Sequence, residues 1–325
     1  MSLKGRKVLV TGAAGFIGSN LTEALIQKGA IVVGIDNFFN GRIENIEDAL
    51  KNKNFNFYKG DIRDYNFILD VLKDIEIVYH QAAFTSVPQS ILMPETCNNV
   101  NVNGTLNILN ASIKNNVEKV IYASSSSVYG DTPTLPKKED MERIPISPYG
   151  VSKLACEAYM QVYYKIYGIQ TMTLRYFNVY GPRQKDSPYS GVIAIWLGQI
   201  LRNEDLIIFG DGKNSRDFTY IKDVIQANLL ASIHECKGEI LNIGANNPIT
   251  LTELANLMLK LTNKKDLKIK YTDPRPGDIL YSYADISKAM DLLDFKPEYS
   301  QEDGLKDYLT WYNSKYNANL KLCKD

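Results

Sequence analysis

Short apolar runs rich in β-branched residues alternate with amphipathic stretches through the first half of the chain. The strand-like runs are KVLVTG, AIVVGID, FNFYKGD, IEIVYHQAA, KVIYASSSSVYG and TMTLRYFNVYG. Helical periodicity runs between them, through SNLTEALIQKG, NFILDVLKD, NVNVNGTLNILNASIKN and SKLACEAYMQVYYKIYG. Because strands that alternate with helices are joined by right-handed crossovers, the pattern predicts an α/β fold with a doubly wound parallel sheet.

The pattern changes after about residue 180, where loops rich in Gly, Pro and Asp separate short helices. We expect a smaller C-terminal α/β lobe there, closing over the carboxyl edge of the sheet. The apolar run GEILNIGA is typical of a buried strand that rejoins the main sheet. The predicted division is therefore discontinuous, with residues 1–178 and 218–245 in the first domain, and residues 179–217 and 246–325 in the substrate lobe.

Composition narrows the class of protein. The 325 residues include 37 basic and 37 acidic side chains, a balance that argues against nucleic acid or a membrane as the main partner. The N-terminus leads directly into a strand without a signal peptide, and no apolar run spans a bilayer, so we expect a soluble cytoplasmic protein. The four cysteines and two histidines lack metal-ligand spacing, which predicts buried free thiols and no metal site.

A glycine-rich turn follows the first strand in VLVTGAAGFIGSNL. Its glycines let backbone N–H groups approach a pyrophosphate, and the helix that begins there adds positive potential. Asp36 ends the second strand, where a carboxylate accepts hydrogen bonds from a ribose diol and repels a 2′-phosphate. NAD is therefore predicted over NADP, while the nearby Arg42 argues against this preference. The predicted contacts are Gly12, Gly15, Phe16, Ile17, Gly18, Asp36 and Asn37.

The stretch SPYGVSK places Tyr149 four residues before Lys153. On a helix both side chains lie on one face, where an ammonium would lower the phenol's pKa from about 10 and make it a usable base. The alternative is an ordinary solvated helix pair. Upstream, YASSSSVYG places serines at the carboxyl edge of the sheet, where ligands of open α/β folds bind.

The GxxGxxG spacing and the order of these motifs resemble the extended short-chain dehydrogenase/reductase family over nearly the whole chain. The resemblance implies a Rossmann domain, with Ser125 as the catalytic hydroxyl beside Tyr149 and Lys153. Further cofactor contacts that it implies are Asp61, Ile62, Gln81, Ala82, Ala83, Asn101, Tyr149, Lys153 and Tyr176. The Thr-Asp-Glu pattern of the related sugar-nucleotide 4,6-dehydratases is absent from the serine run, which leaves hydride removal and return as the simplest chemistry.

The second lobe resembles the UDP-sugar epimerases. Arginine's planar fork suits phosphate oxygens, so Arg216 and Arg275 are predicted to contact the diphosphate or a ribose. Relatives restricted to unacetylated sugars carry a tyrosine seven residues after the second arginine, where this chain has Ser282, flanked by Tyr281 and Tyr283. The substrate residues implied by the resemblance are Thr85, Ser86, Ser125, Ser126, Asn178, Gln184, Val192, Arg216, Arg275, Asp278 and Ser282.

These observations predict an NAD-dependent UDP-sugar 4-epimerase that acts through a 4-keto intermediate. The small residue at position 282 favours UDP-N-acetylglucosamine and UDP-N-acetylgalactosamine, with UDP-glucose and UDP-galactose as second substrates. The alternatives are UDP-glucuronate 4-epimerisation or decarboxylation, and an NAD-binding regulatory protein without turnover. The resemblance also implies a homodimer, built from the helices near residues 98–115 and 149–167.

Overall fold

The computed structural model describes residues 2–184, 191–274, 281–318, 320 and 322. Predicted residues Arg275 and Asp278, and Cys323, lie outside this part of the chain. The strands are β1 (Lys7–Thr11), β2 (Ile31–Asp36), β3 (Phe55–Lys59), β4 (Ile77–His80), β5 (Lys119–Ser125), β6 (Gln170–Tyr176), β7 (Leu206–Phe209), β8 (Ser215–Arg216), β9 (Glu239–Ile243), β10 (Ile249–Thr250), β11 (Ile269–Thr272) and β12 (Tyr281–Ser282). The helices are α1 (Phe16–Gln27), α2 (Glu47–Leu50), α3 (Tyr65–Val71), α4 (Val87–Leu92), α5 (Pro94–Asn98), α6 (Gly104–Lys114), α7 (Pro148–Tyr167), α8 (Val192–Leu201), α9 (Ile221–Ile233), α10 (Leu251–Leu261), α11 (Ser287–Leu293) and α12 (Gln301–Tyr316).

Seven parallel strands form the main sheet, in the order β3-β2-β1-β4-β5-β6-β9. Its strands are apolar on both faces because helices cover both faces. In β1, Val8 and Val10 pack on the side of α1 and α9, while Leu9 packs on the side of α3, α6 and α7. Each fully buried aliphatic side chain of this kind contributes about 1.5–3 kcal/mol. The predicted doubly wound α/β architecture is confirmed.

The direction of winding reverses between β1 and β4, which are neighbours in the sheet. In doubly wound sheets a crevice opens at this switch point, outside the carboxyl ends of the strands, and ligands bind there. The strand ends at this edge carry Thr11, Asp36, His80, Ser125 and Tyr176. The fold therefore gathers at one edge residues that are far apart in sequence.

A smaller lobe follows β6. It contains a three-stranded sheet in the order β10-β8-β12 and a parallel pair of β7 with β11. The segment that contains α9 and β9 interrupts this lobe, and β9 pairs with β6 at the end of the main sheet. The residue boundaries between the two lobes stay a prediction.

Two further expectations concern the chain as a whole. Cys97, Cys156 and Cys236 are buried free thiols, as predicted. No helix in the described part of the chain has the length and apolar character that crossing a bilayer requires.

Candidate active site

The glycine turn between β1 and α1 is a tight cradle. Gly12 has a φ of +68°, which favours glycine, and a Cβ there would lie 3.0 Å from the backbone of Ala82. A Cβ on Gly18 would lie 2.1 Å from the carbonyl oxygen of Gly12. Gly15 is the N-cap of α1 and has no side chain to cap the helix. The turn therefore presents backbone N–H groups, uncovered by side chains, at the start of a helix. This is the arrangement that binds a pyrophosphate.

Asp36 lies at the end of β2 and is tied to this turn. Its carboxylate accepts hydrogen bonds from the Ala14 N–H at 3.0 Å and from the Phe38 N–H at 2.7 Å. Burial raises the pKa of Asp36, while these backbone donors oppose the rise. The N–H bonds occupy one lone pair of each oxygen, so the carboxylate keeps acceptor capacity for a ribose diol.

Asn37 and Asp61 meet beside the end of β2. The amide of Asn37 donates to Asp61 at 2.8 Å, and the guanidinium of Arg63 holds the same carboxylate through two bonds of 2.9 and 2.7 Å. The Arg63 bonds keep the pKa of Asp61 well below its ordinary value. Ile62 is buried against Gly104, where an added Cβ would lie 2.5 Å from the Ile62 Cδ1. The predicted cofactor contacts Asn37, Asp61 and Ile62 therefore lie in neighbouring segments after β2 and β3.

The residues at this edge fit a dinucleotide. The backbone cradle leaves no room for side chains at Gly12 and Gly18, and the carboxylate of Asp36 lies at the end of the next strand. These are the features that bind the pyrophosphate and a ribose without a 2′-phosphate. Of the other predicted contacts, Phe16 and Ile17 open α1.

A cluster of amides and a phenol lies at the ends of β4 and β6. Gln81 donates to the Tyr176 hydroxyl at 3.2 Å and to Asn228 at 3.1 Å, and Asn228 donates to the Tyr176 hydroxyl at 2.8 Å. Burial raises the pKa of Tyr176 to about 12, so it stays neutral. The sequence interpretation missed Asn228, which comes from α9, and only its place in the rejoining segment could have pointed to it.

His80 joins the glycine turn to Asn101 through a chain of hydrogen bonds. The Ala82 N–H donates to the Thr11 hydroxyl at 3.0 Å, which lies 2.7 Å from His80 Nδ1. His80 Nε2 lies 3.0 Å from the Thr105 hydroxyl, which donates to the Asn101 carbonyl at 2.5 Å. Because the Thr105 hydroxyl donates to Asn101, it accepts from a proton on His80 Nε2, and the Thr11 hydroxyl can donate to Nδ1 of a neutral imidazole. Burial lowers the pKa of His80 to about 3, in agreement.

Asn101 lies in a π-helical turn, Asn99–Asn103, where the sequence pattern predicted regular helix. Such turns are frequent at functional sites. The side chain accepts from the Phe84 N–H at 2.7 Å and donates to the Ser152 hydroxyl at 2.8 Å. Ser152 in turn donates to the Tyr149 carbonyl at 2.7 Å. Asn101 thus joins the loop after β4 to the first turn of α7.

Helix α7 carries Tyr149 and Lys153. The Ser147 hydroxyl caps it by accepting from the Gly150 N–H at 3.1 Å, and Pro148 occupies its first position. The Lys153 ammonium lies 5.8 Å from the centre of the Tyr149 ring and donates to the Ala123 carbonyl at 2.7 Å. The predicted pair therefore shares one face and one site.

The expected direction of the Tyr149 pKa is wrong for this structure. Burial raises it to about 12, and a hydrogen bond with Ser125 opposes the rise. The physical reason is that Lys153 is itself buried, with its pKa lowered to about 8, and that its ammonium bonds a backbone carbonyl. The hydrogen bond nevertheless brings Ser125 and Tyr149 together, as the sequence predicted.

A buried ion pair contacts the serine run at the end of β5. Arg175 donates to the two carboxylate oxygens of Glu157 at 2.8 and 2.7 Å, and both side chains are at most 1% exposed. The Ser124 hydroxyl donates to the same carboxylate at 2.5 Å. Ser125 then ends the strand, and Ser126 opens the 3₁₀ turn that follows. No sequence pattern pointed to this pair, because its members come from separate elements.

A cavity of about 220 Å³ lies in the second lobe, lined by four of the predicted substrate residues, Asn178, Gln184, Val192 and Arg216. Trp196 and Phe209 also line it and were missed by the sequence interpretation. Its wall is largely aromatic and aliphatic with a few polar groups, which suits a flat base with a charged tail.

The remaining predicted residues lie around this region. Ser282 pairs with Arg216 in the β8–β12 ladder and is buried, whereas Tyr281 is 47% exposed. Ser86 caps α4 by accepting from the Gln89 N–H at 3.3 Å, and Thr85 before it is exposed. Ala83 lies in the loop after β4. The structure therefore turns the small residue inward and its tyrosine neighbour at position 281 outward.

Comparison with known proteins gives the family. Residues 9–308 match the family model described as GDP-mannose 4,6 dehydratase. A UDP-N-acetylglucosamine 4-epimerase from Methanobrevibacter ruminantium M1, solved with UDP-N-acetylmuramic acid, is 38% identical, with a TM-score of 0.92 over 96% of this chain and 99% of its own. The UDP-glucose 4-epimerase of Thermotoga maritima, solved with UDP-glucose, is 37% identical, with a TM-score of 0.90 over 95% and 99%.

A third structure carries the cofactor. The UDP-glucuronic acid 4-epimerase of Bacillus cereus, solved with UDP-glucuronic acid and NAD, is 36% identical, with a TM-score of 0.89 over 95% of this chain and 100% of its own. These matches cover nearly the whole chain and confirm the resemblance drawn from its motifs. The chain therefore belongs to the GDP-mannose 4,6-dehydratase family, within the extended short-chain dehydrogenases/reductases that include these sugar-nucleotide epimerases.

Proposed function

We propose that this protein interconverts UDP-N-acetylglucosamine and UDP-N-acetylgalactosamine. The reaction class is 4-epimerisation of a UDP-sugar, and the cofactor is NAD. The observation that carries the choice of sugar is the inward-facing Ser282 beside Arg216, because a small residue there leaves volume for a 2-acetamido group. Tyr281 is exposed, so its ring does not fill this space. A shift of the strand by one residue would place it there.

Three side chains carry the chemistry in this proposal. Tyr149 takes the proton of the sugar 4-hydroxyl, and Lys153, one helical turn away, stabilises the phenolate. Ser125, which is hydrogen-bonded to Tyr149, also hydrogen-bonds the oxygen that becomes the ketone. NAD would be held by the glycine turn and Asp36, and when bound it would supply a reversible hydride acceptor for the sugar C4. Because burial raises the pKa of Tyr149, its phenol must lose a proton before it can act as the base, and the neighbouring Lys153 ammonium favours that loss.

Inversion requires that the 4-keto sugar turn while its nucleotide stays bound. We assign this anchoring to the cavity of the second lobe, where Arg216 neutralises the diphosphate and the aromatic wall holds the base. Turning about the diphosphate linkage would present the opposite face of the keto sugar, and reduction of C4 on that face would give the epimer.

Proton NMR of the anomeric signals tests the proposal, with UDP-N-acetylglucosamine in one tube and UDP-glucose in another. We expect the galacto epimer in the first tube. Ser282→Tyr should abolish that conversion and keep the reaction of UDP-glucose, whereas the control Ser282→Ala should keep both. Conversion of UDP-glucose alone by the unchanged protein would overturn the role of Ser282.

UDP-glucuronate is the second candidate substrate, favoured by the match to the Bacillus cereus enzyme at 36% identity. A third tube with UDP-glucuronate, followed for UDP-galacturonate and carbon dioxide, separates it from the first. A protein that binds NAD and UDP but converts none of the three sugars would instead be a non-catalytic regulator.

We also propose a homodimer through α6 and α7. Helix α7 exposes apolar side chains along its length, among them Val151 at 54%, Ile166 at 69% and Tyr167 at 55%. Such a row on one helix is typical of a subunit interface. Light scattering at micromolar concentration should give twice the chain mass, and Ile166→Glu should halve it. A monomer mass for the unchanged protein would contradict the proposal.

A further inference from the structure

Asp217 is a fully buried carboxylate that follows Arg216 directly. Its Oδ1 accepts from the Ala245 N–H at 2.9 Å, and its Oδ2 accepts from the Asn246 N–H at 3.1 Å and the Ala284 N–H at 3.2 Å. These donors come from the loop after β9 and from the segment after β12. One carboxylate therefore joins the end of the main sheet to the smaller lobe.

The backbone of Asp217 reaches two predicted substrate residues. Its N–H donates to the Ser282 carbonyl at 2.9 Å, and its carbonyl accepts from the Asn178 amide at 3.2 Å. Its other neighbour in the chain is Arg216. Asp217 thus contacts Ser282 and Arg216, which the proposed function assigns to the sugar and the diphosphate, and Asn178, which lines the same cavity.

The Asp217 carboxylate is tightly packed, without room for an added methyl group beside it. A Cβ on Gly244 would lie 2.5 Å from Asp217 Oδ2. Two ionised oxygens accept all three N–H groups, whereas the amide of an asparagine has one acceptor oxygen and points N–H donors at donors. Burial raises the pKa of Asp217 and its backbone donors oppose that rise, so those N–H bonds stabilise the charge.

We propose that Asp217 is a positioning residue, which holds Arg216, Asn178 and Ser282 together at the substrate wall by fastening that wall to the end of β9. It acts through these neighbours, since its own carboxylate is turned to backbone N–H groups. This inference rests on the proposed function, because it assumes that the three neighbours bind a UDP-sugar.

The test compares Asp217→Asn with Asp223→Asn. Asp223 is a matched control, since it is also buried and accepts a backbone N–H, that of Glu298 at 2.8 Å, but it lies in α9 and does not line the substrate cavity. Calorimetric titration with UDP measures the nucleotide site without turnover, and NAD content and the thermal midpoint are measured on the same samples.

We expect Asp217→Asn to weaken UDP binding and raise KM at least tenfold, with NAD content unchanged. Asp223→Asn should leave UDP affinity within twofold of the unchanged protein. Equal UDP affinity in Asp217→Asn and the unchanged protein would overturn the inference, as would a parallel loss of NAD, which indicates general damage. Absence of UDP binding by the unchanged protein would instead overturn the proposed function.

A second variant covers the case in which Asp217→Asn does not fold. Gly244→Ala keeps the carboxylate and displaces it, because the new methyl group would lie 2.5 Å from Oδ2. We expect the same direction, a weaker UDP affinity with NAD retained. A Gly244→Ala protein that binds UDP as tightly as the unchanged protein would overturn the inference.

Discussion

The buried pair of Arg175 and Glu157 offers a quantitative test of how the site is supported. Arg175→Met leaves the Glu157 carboxylate 1% exposed, with the Ser124 hydroxyl as a remaining donor at 2.5 Å. Removal of one partner from a buried ion pair costs about 3–5 kcal/mol, because the other charge stays desolvated. Glu157→Gln should cost a similar amount, since it leaves the Arg175 guanidinium buried without its counter-ion.

The double variant separates pairing from packing. Replacing both members of a buried pair is often close to neutral, so Arg175→Met with Glu157→Gln should be less destabilised than either single variant. The free energy of unfolding is measured by urea titration on protein stripped of NAD, because bound ligand adds its own stabilisation. Lys73→Met is the matched control, since its pair with Asp70 has side-chain exposures of 68% and 71% and should contribute no more than about 0.5 kcal/mol.

Two results would refute this reasoning. A loss below about 1 kcal/mol in Arg175→Met would mean that water or another donor reaches Glu157. A double variant as destabilised as the sum of the two singles would mean that Arg175 and Glu157 do not interact, despite contacts of 2.8 and 2.7 Å.

Three further outcomes are expected. Tyr149→Phe should lower kcat by about 10²–10⁴ with NAD retained, as followed by anomeric proton NMR, and a loss below tenfold would contradict its role as the base. Gly18→Ala should release NAD, measured in the supernatant after denaturation, because its Cβ would lie 2.1 Å from the Gly12 carbonyl oxygen. Gly168→Ala is the control for general destabilisation: its Cβ has nothing within 4 Å, its φ of +73° strains an alanine, and it should still keep NAD. His80 has its pKa lowered to about 3, below the unfolded value of about 6.5, so the stability it contributes is complete above pH 6.5 and is lost as pH falls toward 3. Thermal midpoints of His80→Asn should therefore depend less on pH between 6.5 and 4, and a slope equal to that of the unchanged protein would contradict this assignment.

Much of the fold and of the cofactor site follows from local sequence patterns. The alternation of strands and helices predicted the doubly wound sheet, because the period of apolar residues directly reflects which faces are buried. Gly12, Gly18 and Asp36 could be assigned to a dinucleotide for a similar reason, since the turn and the strand end that they form lie within short segments.

The partners of these residues were decided by tertiary structure. Asn228 reaches Gln81 and Tyr176 from α9, and Glu157 reaches Arg175 from another element, at sequence separations of 147, 52 and 18 residues. No periodicity links such positions, because the contact depends on how the strands are ordered in the sheet. The aromatic wall of the substrate cavity, including Trp196, was missed for the same reason.

The pKa values at the site also depend on the tertiary structure more than on the sequence. The sequence by itself determined that Tyr149 and Lys153 share one helix face, since that depends only on a spacing of four residues. Only the tertiary structure decided the direction of their pKa values, because it buries both groups and turns the ammonium toward the Ala123 carbonyl. The identity of residue 282 was likewise fixed by the sequence, whereas its inward orientation was decided by the pairing of β12 with β8, since a shift of one residue in a strand exchanges its two faces.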